Sequence, residues 1–294
     1  MPAGTCTGRV VVITGAGNGI GRAHALAFAA QGAKVVVNDL GGARDGAGSS
    51  TGPAQAVADE IAAAGGQAVA NTDDISSWAG AQRLIEAAVD AFGGLDVVVN
   101  NAGILRDRVL VNLSEDDWDS VINVHLKGHF VPTRHAATYW REQAKAGKTV
   151  KAPVICTSST SGLLGNVGQS NYGAAKSGIA SFALIVAEEL GRYGVRVNAI
   201  APAARTRMTE STPGLMDYVV KPADASVFDT WDPANISPLV ATLAMEDCAA
   251  TGQVFFVQGG TVRKFQNWTM TDTLERNDRW TVSELAAQLP TLFT

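Results

Sequence analysis

In the stretch NYGAAKSG, Tyr172 and Lys176 stand four residues apart. At that spacing two side chains share one face of a helix. An ammonium beside a phenol favours the phenolate. It lowers the phenol's pKa and lets it exchange a proton near neutral pH. Ser159 stands thirteen residues before Tyr172, at the carboxyl end of the apolar run APVICTSS. In an open parallel sheet, ligands sit beyond the carboxyl ends of the strands. A hydroxyl there can hold a substrate oxygen while the phenol exchanges a proton with it. A Tyr-x-x-x-Lys pair alone fits many packed or solvent-facing helices. It gains meaning only from Ser159 and from a second feature upstream.

That feature is VVITGAGNGIGRAHALAF, where an apolar run meets a helical pattern with glycines at 15, 17, 19 and 21. A tight turn from strand to helix exposes unpaired backbone N–H groups at the positive end of the helix dipole. A pyrophosphate sits there when no side chain blocks it. Gly15, Gly19 and Gly21 meet that need and Gly17 assists, with Asn18 and Ile20 completing the turn. Asp39 ends the next apolar run, 18 residues beyond Gly21. A carboxylate there accepts hydrogen bonds from ribose hydroxyls and repels a 2′-phosphate, so NAD is expected in preference to NADP. Arg44 is close enough in sequence to meet a 2′-phosphate, which leaves NADP open.

Positioning these groups takes a repeating scaffold. Apolar runs at 10–14, 34–38, 67–71, 97–100, 154–157, 195–200 and 253–257 read as strands. Most are β-branched and apolar on both parities, as in strands covered on both faces. Helical patterns lie between them at 20–31, 54–64, 78–92, 118–141, 172–193 and 233–243. Strand–helix units in series predict parallel strands with right-handed crossovers. The fold expected is α/β, a single doubly wound parallel sheet of the Rossmann type with helices on both faces. One domain spans 1–260 and a C-terminal extension spans 261–294. The glycine-rich stretch 41–52 reads as a surface loop within that domain.

Composition removes several classes. At 46% hydrophobic and 17% charged the chain is globular, and its net charge of −5 disfavours a nucleic-acid partner. Cys6, Cys156 and Cys248 are far apart and odd in number, with no metal-ligand spacing. A reducing compartment, the cytoplasm, is expected. No secretory pattern precedes the first strand, no apolar run is long enough for a membrane span, and the terminal Leu292-Phe293-Thr294 is no peroxisomal address.

TGAGNGIG, NNAG at 100–103, Ser159 and Tyr172-x-x-x-Lys176, in that order, resemble the short-chain dehydrogenase/reductase family over roughly residues 5–260. The resemblance implies hydride transfer between a nicotinamide and a carbon bearing an alcohol or ketone. It also implies a homotetramer or homodimer. By the same resemblance Tyr172 is the general acid/base, Ser159 holds the substrate oxygen, and Lys176 binds the nicotinamide ribose as well as tuning Tyr172. Asn123 in INVHLKG resembles the asparagine that anchors a proton-relay water. In NNAG, Asn101 and Gly103 line the cofactor. Asp74 and Ile75 resemble the pair flanking the adenine, although Asp73 leaves the register open by one. Thr206 is the candidate for the threonine that meets the nicotinamide amide. Here the chain departs from the family: Pro202 is followed by Ala203 instead of glycine, and Thr206 comes earlier than usual.

NDLGG, VVNNAGILRDR, NVHLKG, YGAAKSG and RMT are similar to one branch, the (3R)-hydroxyacyl-CoA dehydrogenase units of peroxisomal multifunctional enzymes, also read as 17β-hydroxysteroid dehydrogenases. The substrate expected is a (3R)-3-hydroxyacyl-CoA. A steroid and NADPH-dependent reduction of a 3-ketoacyl carrier protein are the alternatives. A non-catalytic NAD-binding sensor is the rival from another class. Arg106, Arg108 and Arg207 are candidates to meet CoA phosphates. In the extension, Thr281-x-x-Glu284 reads as a capping box before a helix. Trp268, Trp280 and Phe293 supply apolar area there. They are expected to cover a substrate entrance, this subunit's or a neighbour's, or to form an oligomer contact.

Overall fold

The computed structural model describes residues 4–206, 209, 219–224 and 226–293. Its strands are Val10–Thr14 (β1), Lys34–Asn38 (β2), Gln67–Asn71 (β3), Val97–Asn100 (β4), Ala152–Thr157 (β5), Val195–Pro202 (β6), Gln253–Gln258 (β7) and Thr261–Lys264 (β8). Among the described residues they form one eight-stranded sheet in the order β3-β2-β1-β4-β5-β6-β7-β8. The helices are Gly19–Ala30 (α1), Gly52–Ala63 (α2), Trp78–Phe92 (α3), Glu115–Ile122 (α4), Gly128–Lys145 (α5), Thr160–Leu163 (α6), Ser170–Gly191 (α7), Ser237–Leu243 (α8) and Val282–Gln288 (α9).

Alternate residues of a strand point to opposite faces. Val11 and Ile13 of β1 pack with Val35, Val37, Val97 and Val99 against Phe28, Ile61 and Val240 from α1, α2 and α8. Val10 and Val12 pack with Val36, Val98 and Val154 against Leu84, Trp140 and Ile179 from α3, α5 and α7. Both faces are thus covered, which is why the strands read as continuous apolar runs. The chain reverses its direction of travel across the sheet between β1 and β4. Crevices at such a switch point, beyond the carboxyl ends, are where open α/β sheets bind ligands.

Three expectations about the elements change. β8 runs antiparallel to β7, with Gln258 opposite Thr261, so the sheet is not wholly parallel and it continues four residues into the extension. Gly259-Gly260 makes a two-residue hairpin, a connection that only antiparallel strands accept. The helix expected over 118–141 starts earlier, at Glu115, on a Ser114–Asp117 capping box. It then passes through a π turn at Asn123–Lys127 before α5. Such a turn adds one residue to the helix and shifts its phase, which apolar periodicity over so short a stretch does not reveal. The extension forms α9 on the expected Thr281–Glu284 capping box, but no α9 residue is buried. Trp268 is 66% and Phe293 78% exposed. No helix among the described residues is long and apolar enough to cross a membrane.

Candidate active site

The strand ends around the switch point open on a cavity of about 460 Å³. Its walls include Gly15, Asn18, Gly19, Ile20, Gly21, Asp39, Asp74, Ile75, Asn101, Gly103, Ser159, Tyr172, Lys176 and Thr206. Among the described residues, the catalytic candidate Asn123, the assisting Gly17, and Arg106 and Arg108 are not part of the wall.

One end is built from backbone. Gly15 has φ +64°, and a Cβ there would come 2.7 Å from Ala102 Cα. Only glycine fits that turn. Asn18 is extended and its side chain does not cap α1, whose first turn carries no acid. The free N–H groups of that turn, at the positive end of the dipole, suit a diphosphate. Asp39 Oδ2 accepts from the Gly17 N–H at 2.8 Å and Oδ1 from the Gly41 N–H at 2.7 Å, so its carboxylate is fixed at the rim. Asn101 Nδ2 donates to the carbonyls of Thr14 and Gly15 at 3.0 and 3.2 Å, which braces the turn. The loop at 41–52 closes one side. Arg44 lines the cavity, and its carbonyl accepts from the Leu105 N–H at 3.1 Å. Asp73 and Asp74 both line the wall. Asp73 is paired with Arg83, and Asp74 Oδ1 accepts from Ser76 Oγ at 2.7 Å.

The other end is built from side chains. Tyr172 and Lys176 sit on the first turns of α7, and Lys176 Nζ lies 5.5 Å from the Tyr172 ring centroid. Lys176 Nζ donates to the Thr157 carbonyl at 2.5 Å. Ser159, just past β5, caps α6 through its Oγ at 3.2 Å from Ser161 N and also hydrogen-bonds the phenol.

The electrostatics correct the simplest reading of the pair. Burial pushes the Tyr172 phenol up to about 12, against a lowering by the Ser159 hydrogen bond. Burial also pulls Lys176 down to about 7. The proximity argument assumed a solvated ammonium, whereas removal from water penalises both charged forms and wins. What remains is a lysine poised to titrate at neutral pH beside a protonated phenol.

Asn123 sits behind the wall at the start of the π turn, where Nδ2 donates to Ser76 Oγ at 2.9 Å. Thr206 faces Gly19 across the cleft, its Cγ2 3.4 Å from where a Cβ would stand. Arg106 is not available to CoA phosphates as expected. Its guanidinium is bound to the Asp116 carboxylate and donates to the Asp45 carbonyl at 3.0 Å. Arg108 is exposed and donates to the Asp107 carbonyl. Arg207 lies outside the described residues.

Sequence reasoning missed several supports. Buried Asn171 ties the start of α7 to the Arg106 and Asp117 carbonyls, both at 3.1 Å. Ser158 Oγ donates to the Lys176 carbonyl at 2.7 Å. Trp231 lines the cavity, held by the Arg205 N–H at 2.6 Å from its carbonyl. His125 meets the Tyr172 ring edge to face. The signal for Ser158 and Asn171 was adjacency to Ser159 and Tyr172. For Trp231 there was none.

Comparison with known proteins agrees with this geometry. The short chain dehydrogenase family model matches residues 9–214. The hydroxyacyl-CoA dehydrogenase ChsB1 of Mycobacterium tuberculosis is 49% identical over 260 residues, covering 86% of this chain and 78% of that protein. The peroxisomal multifunctional enzyme type 2 of Drosophila melanogaster is 48% identical over 245 residues, covering 83% of this chain but 38% of the enzyme. A crystal structure of a short chain dehydrogenase from Mycobacterium avium superposes with TM-score 0.87 at 51% identity, covering 99% of this chain and 96% of that one. The chain belongs to the short-chain dehydrogenase family, oxidoreductases that act on CH–OH groups with a nicotinamide cofactor.

Proposed function

We propose that the protein is an NAD-dependent dehydrogenase interconverting a (3R)-3-hydroxyacyl-CoA and the 3-ketoacyl-CoA. The observation that carries this is the convergence of Ser159, Tyr172 and Lys176 on one wall of a cleft whose far end is a glycine turn. The names of the relatives supply the acyl-CoA. The cradle fits a dinucleotide, because the left-handed Gly15, pressed against Ala102, holds the turn open to glycine alone and the α1 amides face it uncapped. The fixed Asp39 carboxylate favours ribose hydroxyls over a 2′-phosphate, and so NAD.

When bound, the nicotinamide would supply a hydride acceptor for substrate C3 and, while oxidised, a positive charge that favours the phenolate. In this mechanism the deprotonated Tyr172 oxygen takes the proton of the C3 hydroxyl as the carbonyl forms. Ser159 holds the substrate oxygen. Lys176, fixed by Thr157, passes the proton on, which suits a group titrating near neutrality. Lys176 also holds the nicotinamide ribose. Asn123 opens the π turn that packs on α7, a placement that supports a share in proton return to solvent.

Tyr172→Phe is expected to lower kcat by about 100-fold or more while NAD affinity stays near wild type, as general acid/base loss requires. Near-normal turnover refutes the role. A second reading, NADPH-dependent ketoacyl reduction, draws on Arg44 in the cleft wall. Rates with both coenzymes, across acyl-CoA chain lengths and 17β-hydroxysteroids, separate the two. The exposed apolar residues of the extension support a homo-oligomer whose tail packs on a neighbour, and the three free thiols support a cytoplasmic setting.

A further inference from the structure

Two buried histidines of the π turn and α5 have no part in this mechanism, yet one meets the Tyr172 ring and the other binds Thr157, the residue that receives Lys176. His125 is 1% exposed, and its ring stands at 89° to that of Tyr172 with centroids 5.1 Å apart. That is the favoured edge-to-face arrangement of two aromatic rings. The opposite constraint comes from NNAG, because a Cβ at Gly103 would strike His125 Cε1 and lie 3.0 Å from its Nδ1. His125 Nε2 is 2.8 Å from the Ile104 carbonyl and 3.1 Å from the Ile104 N–H. A single nitrogen serves one of these, and Nδ1 finds no partner among the described residues. Hydrogen bonding alone therefore explains this imidazole poorly, and its ring packing explains it better.

His129 lies four residues on, so it shares the face. Its Nδ1 donates to the His125 carbonyl at 2.7 Å, and its Nε2 accepts from the Thr157 N–H at 3.2 Å. The Thr157 carbonyl is the group that receives Lys176 Nζ. Burial and the nearby Lys176 charge keep both imidazoles neutral. The column adds no competing cation beside the lysine.

We infer that His125 is a positioning residue for Tyr172, holding the phenol ring edge-on while His129, through Thr157, fixes the carbonyl that seats Lys176. The inference rests on Tyr172 as the proton-transfer group. The two histidines set the distance between phenol and amine from behind, without touching substrate.

The experiment compares His125→Ala, His125→Phe and His125→Gln, alone and with Tyr172→Phe. His125→Ala is expected to lower kcat by about 10- to 100-fold, the scale of a misplaced reacting group. The dissociation constant for NAD, read directly by fluorescence titration, stays within about twofold, so the loss falls on kcat. His125→Phe restores the ring edge and recovers most of kcat. His125→Gln restores only the bond to Ile104 and does not. In the Tyr172→Phe background, His125→Ala lowers the residual rate no further, because coupled groups are not additive. Unchanged kcat in His125→Ala, rescue by Gln but not Phe, or additive losses in the double variant overturn the inference. So does an NAD dissociation constant rising in step with the loss of kcat, which assigns the effect to the Gly103 segment. If His125→Ala does not fold, the Phe and Gln variants decide between the same outcomes. Tyr172→Phe with near-normal turnover instead breaks the reading of Tyr172 itself.

Discussion

Replacing Lys176 with methionine is expected to abolish turnover and strengthen the fold. Burial lowers the Lys176 pKa from 10.5 to about 7. Between those values the unfolded chain binds more protons than the folded one, so stability rises with pH across that window. The penalty is complete below pH 7 and fades as the pH climbs to 10.5. At about 1.36 kcal/mol per pH unit, the full penalty is about 5 kcal/mol. Against it, methionine leaves the Thr157 carbonyl without its Nζ donor, and a stranded buried acceptor costs about 1–3 kcal/mol. The net gain at pH 6 is then about 2–4 kcal/mol, and near pH 10 it becomes a small loss. Urea unfolding of the cofactor-free protein at pH 6, 8 and 10, at fixed protein concentration, reads this directly. The buried histidines, Cys156 and Tyr172 shape both profiles alike, so the difference between Lys176→Met and wild type carries the test: it should be largest at pH 6 and shrink toward pH 10. A variant no more stable than wild type at pH 6, or a gain that does not shrink on the way to pH 10, refutes the reasoning.

Other expectations follow from single contacts. Asp39→Asn removes the charge held by the Gly17 and Gly41 amides. The ratio of kcat/KM for NAD over NADP should fall at least about tenfold, a modest share of the repulsion between close charges. Equal ratios in variant and wild type count against the carboxylate as the discriminator. Gly103→Ala drives a methyl into His125, and overpacking of this kind destabilises by about 1–3 kcal/mol. Its melting temperature should drop, and His125→Ala in the same chain should recover part of the drop. Full independence of the two changes contradicts the contact.

The sheet was legible because parallel strands buried on both faces must be apolar on both parities, as VVVIT and VICT are. The glycine turn was legible because its backbone geometry excludes other residues, and Asp39 because it follows the next strand. What stayed hidden depends on long-range contact. The pKa directions of Tyr172 and Lys176 turn on how deeply α7 is buried, which spacing does not encode. Arg106 looked like a free cation until the chain's turn into α4 brought Asp116, ten residues on, against it. His125 touches Tyr172 across 47 residues of chain through a π turn that no periodicity announces. β8 had a local signal, Gly259-Gly260, but its strand is only four residues long.

That short strand also guards the margin of the sheet. All four residues of β8 are exposed, and two of them, Arg263 and Lys264, are basic. Lysine-rich, very short rims resist pairing with foreign chains. Directly inside lies QVFFVQ, whose amides would otherwise face solvent along a flat aromatic and β-branched run. Trimming the protein at residue 260 to isolate a tidy nucleotide-binding unit would therefore yield a sticky one. Its bare border would invite sheet-to-sheet clumping, and a stop after Lys264 is the safer cut.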